Sequence, residues 1–472
     1  MPAPAYDCVI CGAGLAGIST AYQLAARFGL RDVLMVDERA PLSLTSDKST
    51  ECYRNWWPGP DDAMVRLVNR SIDLLEELAR TSGNVFHLNR RGYLYVTADP
   101  GRVGEIRREA QAVSALGAGP LREHPGAGGY QPAPASDFQD RPAGADRIGA
   151  DGIGADPIGA DLIVDPALIH ELFPYLTEQA AAVLHVRRAG WLSAQQLGMY
   201  LLEQARACGV RLQRGRLAAV DLRGGRVAGV RLEGAAGTVR VETAAFVDAG
   251  GPLVADVARL MGVELPVFAE LHAKVSFADR LGAVPREAPL LIWTDPQRLP
   301  WSEEERRLWA ESAETRWLLE ELPGGAHTRP EGPAGSETVL MLWPYHTPVM
   351  HPQWPPAFDP SYAEVTLRGL ATMLPGLRAY LSRMPKPVVD GGYYLKTAEN
   401  RPLIGPLPVA GAYMAGALSG FGLMAACGAG ELAAAHVAGA SLPDYAPAFR
   451  LERYDDPAYR AAWERWQPAG QL

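Results

Sequence analysis

The feature that most constrains the fold of this chain is a glycine-rich turn at residues 12–17, with the sequence GAGLAG. A short apolar run over residues 7–11 precedes this turn, and a helix-like stretch over residues 18–28 follows it. A second apolar run then ends at Asp37, twenty residues past Gly17. This order is typical of a dinucleotide-binding βαβ unit; the alternative interpretation is a glycine-rich turn in an unrelated α/β protein.

Each part of this motif has a physical role in holding a nucleotide. Gly12 permits the tight turn, Gly14 allows the backbone to approach a pyrophosphate, and Gly17 allows helix and strand to pack closely. The N-terminus of the helix offers unpaired N–H groups and a partial positive charge to a phosphate. Asp37 would accept hydrogen bonds from a ribose 2′-hydroxyl, so we expect a ligand without a 2′-phosphate.

The composition is that of a globular protein with more than one domain. A length of 472 residues exceeds one typical core and predicts two or three domains. Hydrophobic residues make up 48% of the chain and charged residues 21%, which is typical of a soluble protein. The net charge of −9 argues against nucleic acid or an anionic membrane as the main partner.

The cysteines and the apolar segments bear on cellular location. Five cysteines are too few for a disulfide framework, and Cys8 and Cys11 would point to opposite faces of the predicted first strand, which argues against zinc or redox use. No metal site is expected. The first residues contain no secretory signal, so we expect a cytoplasmic protein. Residues 409–430 are uncharged and long enough to cross a bilayer, but their six glycines favour a strand, a turn and a helix over a transmembrane span.

Periodic segments alternate with stretches of unusual composition. Residues 62–80 have apolar side chains at helical spacing and predict an amphipathic helix. Residues 118–161 are rich in Gly, Ala, Pro and Asp and repeat the sequence IGAD, which predicts a low-complexity insertion rather than a calcium-binding repeat. Residues 295–337 are charged and then rich in Pro and Gly, and they predict a surface excursion. A second strand and glycine turn at residues 248–252 (DAGGP) would face the first turn across the nucleotide.

Several motifs follow one another in a fixed order. They are GAGLAG, DER at 37–39, SDKSTECYR at 46–54, ELFPYL at 171–176, DAGGP, GGYYLKTAENRPLIG at 391–405 and AGALSGFGLM at 415–424. Together these motifs resemble the FAD-dependent oxidoreductases of the D-amino-acid oxidase superfamily. The closest likeness is to the branch that contains sarcosine oxidase, dimethylglycine dehydrogenase and glycine oxidase.

This resemblance implies an α/β fold, α+β overall, with a discontinuous Rossmann-like FAD-binding domain and an antiparallel-sheet substrate domain. The expected FAD-binding domain comprises residues 1–60, 185–260 and 385–445. The expected substrate or cap domain comprises residues 61–184 and 261–384, and a C-terminal tail covers 446–472.

The resemblance also implies FAD rather than NAD. It places Ser49 and Thr50 near the pyrophosphate, the backbone of Leu217 near the adenine, and residues 419–424 at the pyrimidine edge of the isoalloxazine. Backbone N–H groups at that edge would favour the negative charge that develops on flavin reduction. The expected FAD-binding residues are Gly12, Gly14, Gly17, Asp37, Glu38, Ser49, Thr50, Leu217, Gly250, Gly416, Gly420, Phe421, Gly422, Leu423 and Met424.

The chemistry of the family is oxidation of a C–N bond beside a carboxylate, with hydride transfer to the flavin and hydrolysis of the imine. A site for a small amine or amino acid then needs a cation for the carboxylate, aromatic walls and a group that favours the neutral amine. Trp56 and Trp57 are candidate walls, and Lys274 is a weaker candidate for the site. By resemblance the expected catalytic residues are Arg54, His346, Tyr394 and Lys396, each with a purely structural alternative.

Departures from the family pattern affect flavin attachment and the electron acceptor. Gly392 stands where monomeric sarcosine oxidase tethers its flavin through cysteine, so we expect non-covalent FAD, with a link through Cys52 as the alternative. Met341 and Met424 stand where that enzyme has lysines, one of which is thought to assist its reaction with O₂. An oxidase that uses O₂ and a dehydrogenase that uses another electron acceptor therefore both stay open. Phe421 replaces a histidine at the flavin edge.

Two other functions remain open from the sequence. The first keeps the flavin but oxidises a hydroxy acid or glycerol phosphate, and the second is a flavin-bearing assembly factor without catalysis. A cation for a carboxylate, without a second basic cluster for a phosphate, favours the amine. The oligomeric state is left open.

Overall fold

The computed structural model describes residues 4–46, 48–126, 129–132, 158–235, 237–333 and 335–464 of the chain. Within these ranges the strands form a six-stranded sheet, a nine-stranded sheet and three smaller sheets, with helices packed against them. This mixed architecture confirms the predicted α/β fold class.

Three distant pieces of the chain contribute to the six-stranded sheet. Its order is β10 (Arg211–Arg214), β3 (Val33–Asp37), β2 (Cys8–Cys11), β14 (Phe246–Asp248), β23 (Ala412–Gly416) and β22 (Leu403–Pro406). All neighbours are parallel except β22, which pairs with β23 in the antiparallel direction. Helices α1 (Leu15–Tyr22) and α9 (Gly422–Ala438) pack together so closely that a Cβ at Gly430 would lie 2.4 Å from Ser19 Oγ.

The nine-stranded sheet is mostly antiparallel. Its order is β21 (Val388–Lys396), β15 (Phe268–Ala278), β20 (Thr338–Leu342), β19 (Ala326–Pro330), β16 (Leu290–Trp293), β5 (Tyr93–Thr97), β8 (Ala182–Val186), β7 (Ala160–Ile163) and β6 (Leu121–His124). Among the described strands of this sheet, only β5–β16 and β6–β7 are parallel pairs. This agrees with the antiparallel substrate sheet that the resemblance implies.

The two faces of the nine-stranded sheet have different partners because side chains alternate along each strand. On one face, Trp293 and Met341 lie in a hydrophobic cluster with helix α8 (Tyr362–Met373). On the other face, registered pairs form a row that crosses five strands. This row consists of Leu184, Tyr95, Ile292, His327 and Leu342.

The remaining elements complete the layers. A four-stranded sheet has the order β1 (Ala5–Tyr6), β13 (Gly237–Thr243), β12 (Arg226–Gly234) and β11 (Arg216–Arg223). Two-stranded pairs are β4 (Cys52–Arg54) with β9 (Ala189–Trp191), and β17 (Gln297–Arg298) with β18 (Glu321–Leu322). The other helices are α2 (Ala63–Ser82), α3 (Val103–Val113), α4 (Pro166–Leu172), α5 (Ala194–Ala207), α6 (Val254–Arg259), α7 (Glu303–Glu311) and α10 (Pro457–Glu464).

The prediction of a surface excursion over 295–337 is wrong for its last part. Strand β19 lies inside the nine-stranded sheet, and Thr328 and Arg329 have no exposed surface. The polar sequence is tolerated there because the Thr328 hydroxyl donates to the carbonyl of Leu340 at 2.7 Å, and Arg329 is paired. A buried polar strand with satisfied hydrogen bonds resembles a loop in composition.

Two other segments are also ordered. The ends of the predicted 118–161 insertion are strands β6 and β7 of the large sheet, whereas residues 133–157, with two of the three IGAD copies, lie outside the described residues. Helix α2 confirms the amphipathic helix predicted over 62–80. By length and composition Ser419–Ala438 could cross a membrane, but 72% of that segment is buried inside the protein, as expected for a core helix.

Candidate active site

A cavity of about 910 Å³ lies where the six-stranded sheet meets strand β21. All three predicted glycine turns reach it, although they are far apart in sequence. The residues that line it include Gly12, Gly14, Asp37, Ser46, Ser49, Gly250, Gly251, Tyr394, Gly416, Ser419, Gly420, Gly422 and Leu423.

The first turn is packed so closely that two of its positions require glycine. Gly12 has a φ of +110°, and a Cβ there would lie 2.2 Å from the carbonyl oxygen of Ala249. A Cβ at Gly17, which does not line the cavity, would lie 2.0 Å from the carbonyl oxygen of Gly12. Gly14 faces the cavity, where a Cβ would meet Ser46 Oγ at 3.2 Å. The turn therefore presents backbone to the cavity, as a pyrophosphate site needs.

Asp37 lies at the end of β3 and lines the same cavity. Its two carboxylate oxygens accept hydrogen bonds from the N–H groups of Ala13 at 2.7 Å and Arg39 at 2.8 Å. An ionised carboxylate can accept further bonds, so ribose hydroxyls fit here. Glu38 is exposed, pairs with Arg39 at 3.5 Å and does not line the cavity.

The third turn joins β23 to α9 at the opposite end of the cavity. Ala417 and Ser419 have φ values of +53° and +47°, a backbone strain that is concentrated at functional sites. The first N–H groups of α9 have no partner within the helix and are available to a ligand. Gly416, Gly420, Gly422 and Leu423 line the cavity, whereas Phe421 and Met424 belong to the adjoining hydrophobic core.

The other expected cofactor residues lie at different depths. Ser49 and Gly250 line the cavity. Thr50 is buried, and its carbonyl oxygen accepts a hydrogen bond of 2.6 Å from Nε of Arg329. Leu217 is half-buried on β11 and does not line the cavity. Glycine backbone, one carboxylate and a helix N-terminus therefore converge here, and these groups fit the two ends of FAD.

A second cavity of about 1190 Å³ lies on the face of the nine-stranded sheet that carries the registered row. Tyr95, Leu184 and Ile292 form its sheet wall, and α3 closes the opposite side. The charged residues at its edge are Arg54, Arg102 and Glu109, and its other lining residues are Trp56, Pro58, Ile106, Ala110, Val113, Thr294, Gly324, Gly325 and Pro344.

Arg54 lines the second cavity. Its side chain is buried, Nε donates to the carbonyl of Trp56 at 3.0 Å, and the guanidinium lies 5.5 Å from the ring centre of Trp57. The Trp57 ring contacts Phe421 edge-on at 4.8 Å, beside the third glycine turn. The predicted cation therefore lies at the second cavity, and Trp57 stands between it and Phe421 of the third glycine turn.

His327, on β19, is a residue that sequence reasoning missed. Burial and the nearby positive charge of Arg54 lower its pKa to about 4, so the imidazole is neutral near pH 7. Its Nδ1 lies 2.8 Å from the carbonyl oxygen of Gly325, a group that only accepts, so Nδ1 donates and Nε2 carries the lone pair. The sequence signal that could have found it is the alternation His327–Thr328–Arg329. Residues two apart on a strand share a face, so His327 and Arg329 are two ionisable groups on one face.

Tyr394 and Lys396 lie on β21, on the same face as His272 and Glu270 of β15. The Tyr394 ring stacks on the His272 imidazole at 4.1 Å, and Tyr394 lines the cofactor cavity. Glu270 accepts from Lys396 Nζ at 3.1 Å and lies 3.0 Å from Nε2 of His272, and these contacts hold the pKa of Glu270 below its usual value, against desolvation. Lys396 therefore contacts Glu270, which contacts His272, and none of these three residues lines the cofactor cavity.

The structure does not place His346 in the lining of either cavity, and its catalytic role stays a prediction. Strand β20 ends at Leu342, and His346 follows in an exposed segment that lines neither cavity. Met341 packs on the α8 side of the sheet, away from the registered row. Lys274, the weaker candidate, donates to the carbonyl of Ser49 at 3.1 Å.

The candidate points of covalent attachment have no exposed thiol. Gly392 has no side chain, and a Cβ there would lie 3.0 Å from Cβ of Lys48. Cys52 is buried, its Sγ lies 3.1 Å from the carbonyl oxygen of Thr50, and burial raises its pKa. Such a thiol is a weak nucleophile. In the part of the chain that the structure describes, no three His, Cys, Asp or Glu side chains form a metal site.

Solved structures with the same fold cover almost the whole chain. L-proline dehydrogenase from P. horikoshii is 17% identical, with a TM-score of 0.69, covering 96% of this chain and 99% of its own. L-amino acid deaminase from Proteus vulgaris is 15% identical, with a TM-score of 0.67 and coverage of 96% and 98%. Glycine oxidase from Geobacillus kaustophilus is 16% identical, with a TM-score of 0.66 and coverage of 95% and 99%. No significant match occurs among curated protein sequences.

The family model described as DAO, FAD dependent oxidoreductase, matches residues 7–436. This range begins before the first glycine turn and ends inside α9, so it contains both cavities and the strands that form them. The chain therefore belongs to the DAO family and is an FAD-dependent oxidoreductase.

Proposed function

We propose that this enzyme oxidises the C–N bond of an amino acid or N-alkyl amino acid, with the imine product then hydrolysed. The observation that carries the proposal is the buried guanidinium of Arg54, which lines the second cavity beside apolar walls. A substrate carboxylate is the natural counter-ion for a buried guanidinium, because the two groups form paired charge-assisted hydrogen bonds.

In this proposal the substrate carboxylate binds Arg54 and the rest of the substrate extends along the second cavity. Trp56 and Tyr95 exclude water from the reacting carbon. FAD, bound without a covalent link, would supply the hydride acceptor. Such a transfer needs an amine without its extra proton.

His327 is the residue that we connect with this need for a neutral amine. Because its pKa is lowered to about 4, the imidazole accepts a hydrogen bond near pH 7 and does not add a second positive charge beside Arg54. The positive charges of Arg54 and Arg329 also disfavour an ammonium ion near it. We assign to His327 Nε2 the role of accepting the proton that leaves the substrate ammonium.

Anaerobic reduction of the FAD-loaded enzyme tests the proposal. Loss of oxidised-flavin absorbance is followed with N-methyl amino acids, D-amino acids and L-proline, and separately with hydroxy acids and glycerol phosphate. Reduction by amines alone supports the proposal. Reduction by hydroxy acids or glycerol phosphate alone, or by none of these compounds, contradicts it. Reoxidation of the reduced enzyme by O₂ or by an artificial acceptor then identifies the class of electron acceptor.

A further inference from the structure

We propose that Lys274 and Arg329, two cations of the nine-stranded sheet, are positioning residues for FAD. They hold the carbonyl groups of Ser49 and Thr50, and in this way they fix the part of the cofactor cavity that Ser49 lines. This inference rests on membership of the DAO family and not on the proposed substrate, because it concerns only how the chain retains its cofactor.

Both contacts run from the sheet to the backbone of one short segment. Lys274, on β15, donates from Nζ to the carbonyl oxygen of Ser49 at 3.1 Å. Arg329, on β19, donates from Nε to the carbonyl oxygen of Thr50 at 2.6 Å. The partners are 225 and 279 residues apart in sequence, so the fold of the whole chain brings them together. Hydrogen bonds from charged donors are stronger than those between neutral groups.

The segment that these cations hold has a strained backbone. Glu51 has a φ of +56°, a conformation that a residue with a side chain keeps only when its surroundings enforce it. Its carbonyl oxygen accepts from the N–H of Leu192 at 3.2 Å, and its Oε1 accepts from the N–H of Ala194, the first residue of α5, at 2.9 Å. Contacts from the sheet and from the start of α5 therefore hold residues 49–51 in one conformation.

The direction of the Ser49 carbonyl decides where the next N–H group points. In a trans peptide the C=O and N–H bonds point in opposite directions, so the N–H of Thr50 points away from Lys274. Thr50 is buried, yet no residue that the structure describes accepts a hydrogen bond from this N–H. Buried N–H groups without an acceptor are rare in proteins. We expect an oxygen of FAD, bound in the cavity that Ser49 lines, to be the acceptor.

The two cations act through this segment and do not touch the cofactor themselves. Neither Lys274 nor Arg329 lines the cofactor cavity or the second cavity. Arg329 has no exposed surface, and its charge is compensated by Glu331 and, at 3.7 Å, by Glu51. A variant that tests Arg329 must therefore keep a positive charge, because its loss would leave two carboxylates without their partner.

Dissociation of FAD from the purified holoenzyme tests this inference. The rise in FAD fluorescence on dilution gives the dissociation constant, and urea unfolding of the FAD-free protein reports separately on stability. We expect Lys274→Met, which keeps an apolar stem and removes the donor, to weaken FAD binding by about tenfold. The urea midpoint of the FAD-free protein should stay unchanged. A lowered midpoint with an unchanged dissociation constant would show a purely structural role and would overturn the inference.

Arg329→Lys is the second variant, and Lys386→Met is the matched control. Arg329→Lys keeps the charge but loses the planar group that reaches Thr50, so FAD binding should again weaken by about tenfold. Lys386 is exposed, and its variant should bind FAD as tightly as the unmodified enzyme. Lys274 is only half-buried, so its variant decides the question should Arg329→Lys fail to fold. An unchanged dissociation constant in Lys274→Met, or equal losses in Lys274→Met and Lys386→Met, would overturn the inference.

The outcome separates this inference from the proposed function, because FAD dissociation is measured without substrate. If amines reduce the flavin and Lys274→Met retains FAD as tightly as the unmodified enzyme, only the role of the two cations is wrong. If hydroxy acids alone reduce the flavin and Lys274→Met loses FAD, only the proposed function is wrong.

Discussion

At the scale of single residues, His327 lies close enough to Arg54 for that charge to lower its pKa, although the two residues come from distant strands. We expect His327→Asn to lower kcat/KM on the order of a hundredfold, because general-base groups contribute roughly 10²–10⁴. In the unmodified enzyme the rate should fall below pH 5 as His327, with a pKa of about 4, becomes protonated. The His327→Asn variant should not show this decrease in rate below pH 5.

The matched control for His327 is His346→Asn. His346 is exposed, whereas His327 is buried near Arg54, so kcat/KM and its pH profile should stay unchanged in this variant. An equal loss of activity in both variants, or a decrease in rate below pH 5 that persists in His327→Asn, contradicts the role assigned to His327.

Gly14 allows a second test at this scale. A Cβ at this position would meet Ser46 Oγ at 3.2 Å and would occupy the cavity that the cofactor fills. We expect Gly14→Ala to weaken FAD binding by about tenfold, which is about 1.4 kcal/mol. Fluorescence titration of the apoprotein with FAD measures this, and Gly104→Ala, where the Cβ would lie 3.6 Å from the end of Arg108, should leave affinity unchanged.

Local sequence predicted the cofactor residues better than the catalytic ones. Gly12, Gly14 and Asp37 act through spacing within one βαβ unit, so their roles could be inferred from a short window. His327 depends on which strands are neighbours in a nine-stranded sheet, and that order is not encoded within its own segment. The resemblance led instead to His346, which lies beyond the end of β20.

At the scale of elements, the C-terminal tail is attached to the loop that follows β21. Arg453 donates to Glu399 Oε1 at 2.6 Å, and the hydroxyl of Tyr454 donates to the same oxygen at 2.6 Å. Both charged side chains are buried. The tail therefore supports the loop beside Tyr394 rather than extending into solvent.

Removal of one partner should leave a buried charge without compensation. We expect Arg453→Met to destabilise the protein by about 3–5 kcal/mol in urea unfolding, and Arg453→Met with Glu399→Gln to recover much of that loss. Arg307→Met breaks an exposed pair with Glu303 and should cost less than about 1 kcal/mol. Similar effects of the two Arg→Met changes would show that the tail contact is not a buried ion pair.

Periodicity predicted helices more reliably than buried polar strands. Helix α2 follows its apolar spacing, whereas β19 carries His, Thr and Arg at positions that the sheet buries. A polar composition predicts that a segment is exposed to water. Strand β19 is buried nevertheless, because its polar groups form hydrogen bonds with other parts of the chain.

At the scale of the whole molecule, buried neutral histidines make stability depend on pH. Burial lowers the pKa of His185 to about 3 and that of His327 to about 4, both below the ordinary value of 6.5. As pH falls below 6.5, these two histidines become protonated in the unfolded chain but stay neutral in the native protein. Stability should therefore decrease with falling pH, by about 1.4 kcal/mol per pH unit for each histidine.

Urea unfolding between pH 6.5 and pH 5 measures this slope. Carboxylates with lowered pKa values, such as Glu270 and Asp161, stay ionised in this window and do not contribute. His185→Gln should reduce the slope, whereas His351→Gln, at an exposed position, should not change it. A slope that His185→Gln leaves intact would refute the assignment.

The central place of β14 has a consequence for biosynthesis. This strand pairs with β2 on one side and with β23 on the other. The edge that pairs with β23 therefore has no partner until Ala412–Gly416 has left the ribosome. Translation proceeds from the N-terminus, and an unpaired strand edge invites association with other chains. A nascent chain that stops before β23 should therefore remain unable to take up flavin and should depend on chaperones for its solubility.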